Sequence, residues 1–229
     1  MWIKRILDKI KNNNLVVYTA IIGDYDTLVD PLYIDKNCDY ICFTDNHTIT
    51  SKIWNVIYID KDKRYTPVKN ARKYKILVHR YLPQYQHSVW VDASYNIVGS
   101  IRQYIDKYSK SNSILCMVHP HRDCIYEEAQ ACIDMNKDDK HIIDSQMEKY
   151  RLKLYPEHNG LIASGMLYRK HTDESLFRIM EEWWKEVKEY SCRDQLSFNY
   201  ICNKYNFTYD KSNINCFENE YVNIREHKL

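Results

Sequence analysis

The chain has 229 residues, enough for one substantial core, and its 33 basic and 31 acidic side chains leave a formal charge of +2. That balance calls for no nucleic-acid partner, and no run of about 18 apolar residues is present to span a membrane. Eight cysteines form no C-x-x-C pair and no signal peptide is visible, so reduced thiols in a cytosolic protein are expected rather than a zinc site or a disulfide framework. Aromatic residues make up 14% of the chain, with 21 tyrosines. This suits ring-stacking sugar surfaces, and suits better a bias toward AT-rich codons for Asn, Lys, Ile and Tyr.

Residues 1–14 stand apart. Trp2, Ile3, Ile6, Leu7 and Ile10 recur at helical spacing with Lys4, Arg5, Lys9 and Lys11 opposite. This is either a terminal helix docked on the protein or an amphipathic helix making peripheral contact with the inner face of a membrane through residues 1–11. Residues 15–229 then read as one domain. Leu15–Ile22 is a short β-branched apolar run ending at Gly23, and Asp39–Phe43, Trp54–Ile59, Ser88–Val91 and Ile114–Val118 are similar. Pro67 begins a helix expected through Lys69–Leu82, stopped by Pro83, and Ser100–Tyr108 reads as another. Strands alternating with helices predict an α/β sheet, at least partly parallel. Further on, helices are expected over Cys124–Asn136, Ile142–Leu152, Glu174–Tyr190 and Arg193–Tyr205, with a strand over Gly160–Tyr168. Leu176, Ile179, Met180, Trp183, Trp184 and Val187 form one apolar stripe on the 174–190 helix, read as core.

Polar residues cluster at the predicted strand ends. In V-W-V-D-A-S, Asp92 and Ser94 lie two apart, so in extended chain both face one way at a carboxyl end, where ligands of open α/β sheets gather. A carboxylate and a hydroxyl there suit a hard cation bridging a diphosphate, although an Asp ending a strand also simply caps turns. The first strand supplies Tyr18, Thr19 and Ala20 with Asp24 in its exit loop, and the second ends in Asp45. These would cradle a base, with Tyr18 stacking and Asp45 accepting from a base N–H; a core tyrosine and a turn aspartate are the plain alternatives. Arg72 and Lys73 offer cations for a diphosphate, or form a solvated helix face. His119 and His121 follow the fifth strand with Arg122. The imidazoles would complete a metal site and favour Mn²⁺ over Mg²⁺, while Arg122 would clamp a phosphate or an acceptor carboxylate. Asp194, between Arg193 and Gln195, opens a helix and is a cap, a general base or a grip on a sugar hydroxyl.

Taken together, VYTAIIGDYD, CFTD, PVKNARKYKILVH, VWVDAS, HPHRDCIYEEA, GLIASGMLYRKH, and WW followed by RDQLSFNY resemble, in order, a glycosyltransferase-like family found in bacterial capsule and surface-polysaccharide loci and among plant cell-wall proteins. The likeness runs over about residues 15–205. It implies a GT-A fold with a mostly parallel mixed sheet, a nucleotide-sugar donor, a saccharide acceptor and a divalent metal at Asp92. It also implies that the Arg193-Asp194-Gln195 segment offers an acidic residue to a sugar. The expected activity is transfer of a sugar from a nucleotide-diphosphate donor, UDP-linked, in glycan biosynthesis, with the acceptor held near Gly160–Gly165. The rivals are a sugar nucleotidyltransferase, against which the paucity of glycine counts, and a non-catalytic carbohydrate-binding protein, which Ser94 in place of a second Asp would favour.

Overall fold

The computed structural model describes residues 14–225; the amphipathic pattern of Met1–Lys11 lies outside them. Seven strands form one sheet in the order β3-β2-β1-β4-β7-β6-β8. β1 (Leu15–Ile21) is buried at every position, as its unbroken apolar run demands of a central strand. It is flanked in parallel by β2 (Asp39–Thr44) and β4 (His87–Val91), and β3 (Asn55–Tyr58) pairs in parallel outside β2. β7 (Ile162–Lys170) runs antiparallel to both β4 and β6 (Ile114–Val118), and β8 (Asp210–Ser212) lies parallel to β6. Every strand of the sheet except β7 therefore ends at the same edge, and β7 begins there. A separate antiparallel ribbon joins β5 (Tyr95–Ile97) to β9 (Val222–Ile224).

The period-two alternation sorts the core into two layers. Val16, Tyr18 and Ala20 of β1 face the helical layer, while Leu15, Val17 and Ile21 face the layer holding Tyr95, Ile97, Ile101 and Tyr104. The helical layer contains α1 (Pro67–Ile76), α2 (Val78–Tyr81), α4 (Ile125–Asp134), α5 (Lys140–Leu152), α6 (Glu174–Glu189) and α7 (Gln195–Lys204); α3 (Ile101–Tyr108) covers the other face. The α6 stripe is buried as its spacing predicts. Caps set several starts: Thr66, Ser100, Asp139 and Asp173 each accept backbone N–H groups of the helix they precede. Among the described residues no helix is long and apolar enough to cross a membrane.

The helix expected over Lys69–Leu82 is broken at Leu77, whose φ of −92° and ψ of 37° separate α1 from α2. The cause is tertiary. The Lys75 carbonyl accepts the Tyr18 hydroxyl at 2.7 Å and an Arg169 guanidinium N–H at 2.6 Å. Both partners come from the sheet beneath, and neither contributes to the helical pattern of the segment. The three-residue strands β5, β8 and β9 escape sequence reading for a similar reason: each exists through a distant partner and is too short to show a period.

Candidate functional site

At the carboxyl edge of β1 and β4 lies an open cavity of about 350 Å³. Its apolar lining includes Ile21, Ile22, Pro67 and Val68, with the exposed ring of Tyr25. Its polar lining is Asp26, Arg72, Asp92, Ser94, Lys137 and Arg193.

Local structure explains how these groups meet. Gly23 has a φ of +70°, and a Cβ there would come within 2.8 Å of the Pro67 ring, so a glycine lets the β1 exit loop pass against the start of α1. Asp45 accepts the Gly23 N–H at 2.8 Å and pairs with Lys61 at 3.4 Å, so it shapes this loop and does not line the cavity. β4 ends at Val91, and Asp92 to Tyr95 form a turn in which the Tyr95 N–H donates to the Asp92 carbonyl at 2.9 Å. The extended-chain alternation expected for Asp92 and Ser94 therefore does not apply; the turn brings both to the cavity wall. The Asp92 N–H donates to the Gly165 carbonyl at 2.8 Å. Gly165 is a packing residue, since a Cβ would stand 2.5 Å from the Tyr95 hydroxyl oxygen. Arg225 closes the turn: its N–H donates to the Ser94 carbonyl at 2.7 Å, and its guanidinium donates to the Ala93 and Thr27 carbonyls.

Beneath the cavity floor lies a buried ionic network that composition gives no hint of. Lys75 is fully buried, and its Nζ lies 2.6 Å from Asp194 Oδ2, 3.7 Å from Asp92 Oδ1 and 3.0 Å from the Ser164 hydroxyl, to which it donates. Arg72 bridges the same two carboxylates, at 3.6 Å from Asp92 and 3.5 Å from Asp194. Asp92 Oδ1 also accepts the Trp90 indole N–H at 2.6 Å. Ser164 reaches Asp194 at 3.1 Å from a bulge in β7, where the register against β6 slips from Cys116–Leu167 to Met117–Ala163. Burial by itself would raise the Asp194 carboxyl, but the charges of Arg72, Lys75 and Arg193 outweigh it and hold it at about 2. Arg169, also buried, donates to Lys75 and Tyr18. The charged lining residues together with their ion-pair partners comprise five cations (Arg72, Lys75, Lys137, Arg193, Arg225) and three carboxylates (Asp26, Asp92, Asp194), a balance of +5 − 3 = +2. Arg193 keeps a buried Nε–H with no hydrogen-bond acceptor among the described residues, whereas Arg72 Nε faces Asp194 Oδ1 at 3.5 Å. The net positive charge suits an anion.

Several sequence expectations take different positions. Tyr18 is wholly buried, with its hydroxyl committed to Lys75 and Arg169, so it stacks on nothing outside the core. Thr19 is buried on the opposite face of β1, whereas Ala20 does line the cavity. Asp24, at a φ of +60°, accepts from the Asn46 amide at 2.5 Å in the exit loop. Lys73 pairs with Asp62 at 3.5 Å and lies over the Tyr65 ring, away from the cavity. Asp194 is 1% exposed and lines no part of it, which removes it from contact with a sugar; Gln195 instead pins α7 to β7 through the Ile162 carbonyl at 3.0 Å. Arg122 forms an ion pair with Glu128 at 2.6 Å. His119 accepts the Arg122 N–H at 3.1 Å through Nδ1 and faces Glu128 at 3.6 Å through Nε2, and His121 stacks on Phe217. Neither imidazole lines the cavity, so the nitrogen donors that favoured Mn²⁺ are committed elsewhere. Arg169 and Trp90 are site-forming residues that sequence reasoning left out, and Lys75, a cation of the same predicted helix as Arg72 and Lys73, is the one the structure buries. For Arg169 the signal was a charged side chain in an otherwise apolar strand.

These donors fit a divalent metal poorly. One oxygen of Asp92 already faces an indole N–H and two cations, and Asp26 lies 3.5 Å from Arg225. A dication about 4 Å from a single fixed cation meets a repulsion of roughly 8 kcal/mol at an effective dielectric near 20. Among the described residues, the one three-residue group of metal-ligating type is Asp123, Glu127 and His158, all exposed and outside this cavity.

A family profile described as "TOD1/MUCI70, glycosyltransferase-like domain" matches residues 4–227. The chain is 24% identical over 227 residues to an Arabidopsis thaliana protein named "Probable hexosyltransferase MUCI70", covering 87% of this chain and 39% of that one. It is 27% identical over 247 residues to the Arabidopsis thaliana "Alkaline ceramidase TOD1", covering 90% of this chain and 51% of that one. The chain thus spans about half or less of the length of these relatives. Among solved structures, the apo WbbM bifunctional glycosyltransferase superposes with a TM-score of 0.51 at 10% identity, over 90% of this chain and 39% of that one; the shared element is the GT-A-type fold. On the match over nearly its whole length, the chain belongs to the TOD1/MUCI70 family of glycosyltransferase-like domains.

Proposed function

We propose that the protein transfers a hexosyl unit from a nucleoside-diphosphate sugar, UDP-linked, to a saccharide acceptor in glycan biosynthesis. The observation that carries this reading is a cavity at the carboxyl edge of β1 and β4 lined by both guanidinium and apolar groups. The base rests against Ile22, Pro67 and Val68 with Tyr25 at its margin, and the diphosphate meets Arg72 and Arg193. As the sugar leaves, negative charge grows on the diphosphate, and fixed guanidinium groups lower the barrier because they are oriented before the reaction. Asp92 and Ser94 face the same space and accept from donor hydroxyls. Asp194 positions Arg72 and Lys75 without touching substrate.

The name of the second Arabidopsis relative raises amide hydrolysis of a lipid as a rival. A lining rich in cations, with no imidazole among its described residues, supports a diphosphate better than an attacking water. The nucleotidyltransferase rival lacks support as well, since the β1 exit loop holds a single glycine, Gly23. The test is donor hydrolysis and transfer with a panel of UDP-, GDP- and CDP-sugars, comparing the natural chain with Asp92→Ala. The reading expects one donor class to be turned over and the variant to lose at least about a hundredfold in rate, a typical loss for one electrostatic contact. Near-normal turnover by a folded Asp92→Ala variant removes Asp92 from the mechanism. Turnover of no donor removes the transferase reading.

A further inference from the structure

We infer that the cations of the cavity wall, Arg72 and Arg193 backed by Lys75, take the charge of the donor's diphosphate, so that donor binding needs no divalent cation. The inference rests on the nucleotide-sugar reading above and adds to it how the leaving group is held. It departs from what the GT-A resemblance implies, and it comes from the composition of the wall.

Three observations converge. One oxygen of the carboxylate in the expected metal position is already engaged: Asp92 Oδ1 accepts the Trp90 N–H at 2.6 Å and faces Arg72 at 3.6 Å and Lys75 at 3.7 Å. The partners that would complete a metal site are elsewhere, with His119 held by the Arg122 N–H and Glu128, and His121 against Phe217. The lining and its ion-pair partners carry a surplus of two positive charges, and Arg193 retains a buried Nε–H without an acceptor among the described residues. A diphosphate brings about two negative charges and several acceptor oxygens, which match that surplus. A metal entering with it would restore the positive excess. In the transfer, the bond from sugar C1 to the β-phosphate oxygen breaks and its electron pair goes to that oxygen. The acceptor oxygen bonds to C1, and the acceptor proton leaves with the diphosphate.

The experiment is calorimetric titration of the full chain, stripped of metal by dialysis against EDTA, with UDP, GDP and CDP as probes, in EDTA and again with Mn²⁺ or Mg²⁺ added. The expected result is binding of one nucleotide in EDTA with a Kd within about threefold of the value with metal, a difference well below the tenfold that about 1.4 kcal/mol represents. This comparison needs no variant. Arg72→Met should then weaken that binding in EDTA by about tenfold or more, with Arg72→Lys recovering part of the loss. Binding that vanishes in EDTA and returns with Mn²⁺ or Mg²⁺ overturns the inference while leaving the nucleotide-sugar reading intact. Binding of none of the three in either condition overturns the nucleotide-sugar reading and the inference with it.

Discussion

Replacing Asp194 by Asn tests the buried network directly. Asp194 is 1% exposed and Lys75 is 0% exposed, and their charged atoms lie 2.6 Å apart; Arg72 sits 3.5 Å away on the other carboxylate oxygen. The amide keeps the shape and can still accept from Ser164, but it leaves the Lys75 ammonium in the interior with only the more distant Asp92, at 3.7 Å. Removing one member of a buried ion pair typically costs about 3–5 kcal/mol, because the survivor keeps its desolvation penalty without its partner. For a chain of this size each kcal/mol moves Tm by about 2–4 °C, so a fall of roughly 10 °C is expected. Thermal unfolding at neutral pH, followed by far-ultraviolet circular dichroism, measures it. The second arm is a double-mutant cycle with Lys75→Met. The double variant should be more stable than the sum of the single losses by about 2 kcal/mol or more, since neither charge is then left alone. A fall of less than about 3 °C for Asp194→Asn, or strict additivity in the cycle, would refute the claim that this pair holds the floor of the site.

Two further outcomes are expected. His171 is depressed from its ordinary 6.5 to about 3, first by burial and then by the charges of Arg169, His79 and His87, with Ser88 Oγ 2.8 Å from its Nε2. Its folded form resists protonation that the unfolded chain accepts, so its contribution is present above pH 6.5 and is lost as pH falls toward 3. By pH 4 the loss is about 3 kcal/mol, read as a steep acid limb in urea titrations that His171→Gln flattens; an unchanged limb in the variant sinks the assignment. Tyr18→Phe should cost about 1–3 kcal/mol by taking a hydroxyl from the Lys75 carbonyl and Arg169, while leaving nucleotide affinity within about threefold. A large loss of affinity with unchanged stability would restore Tyr18 to the binding site.

The layered α/β architecture was legible because it rests on local pattern. The apolar runs of β1, β2, β4 and β6 and the stripe of α6 appear in the structure close to where their periods place them. Asp92, Ser94 and Ala20 line the cavity because a parallel sheet sends its carboxyl ends to one edge, while Arg72, within α1, and Arg193, just before α7, reach it from the helical layer. Tyr18 and Asp194 were misplaced because their exposure was not a local property. A tyrosine in a β1 strand and an aspartate before a helix read alike whether they face a ligand or a buried cation.

The linear order of residues determined which segments are strands and helices and which strand ends carry polar groups, since 2.0- and 3.6-residue periods are written along the chain. Only the tertiary structure decided which of those polar groups neutralise one another. Lys75 meets Asp194 across 119 positions of sequence, and Arg169 reaches across 94 to end α1. Burial and pairing depend on distances in space between residues far apart in the chain, and these fix where the cavity keeps its unbalanced positive charge.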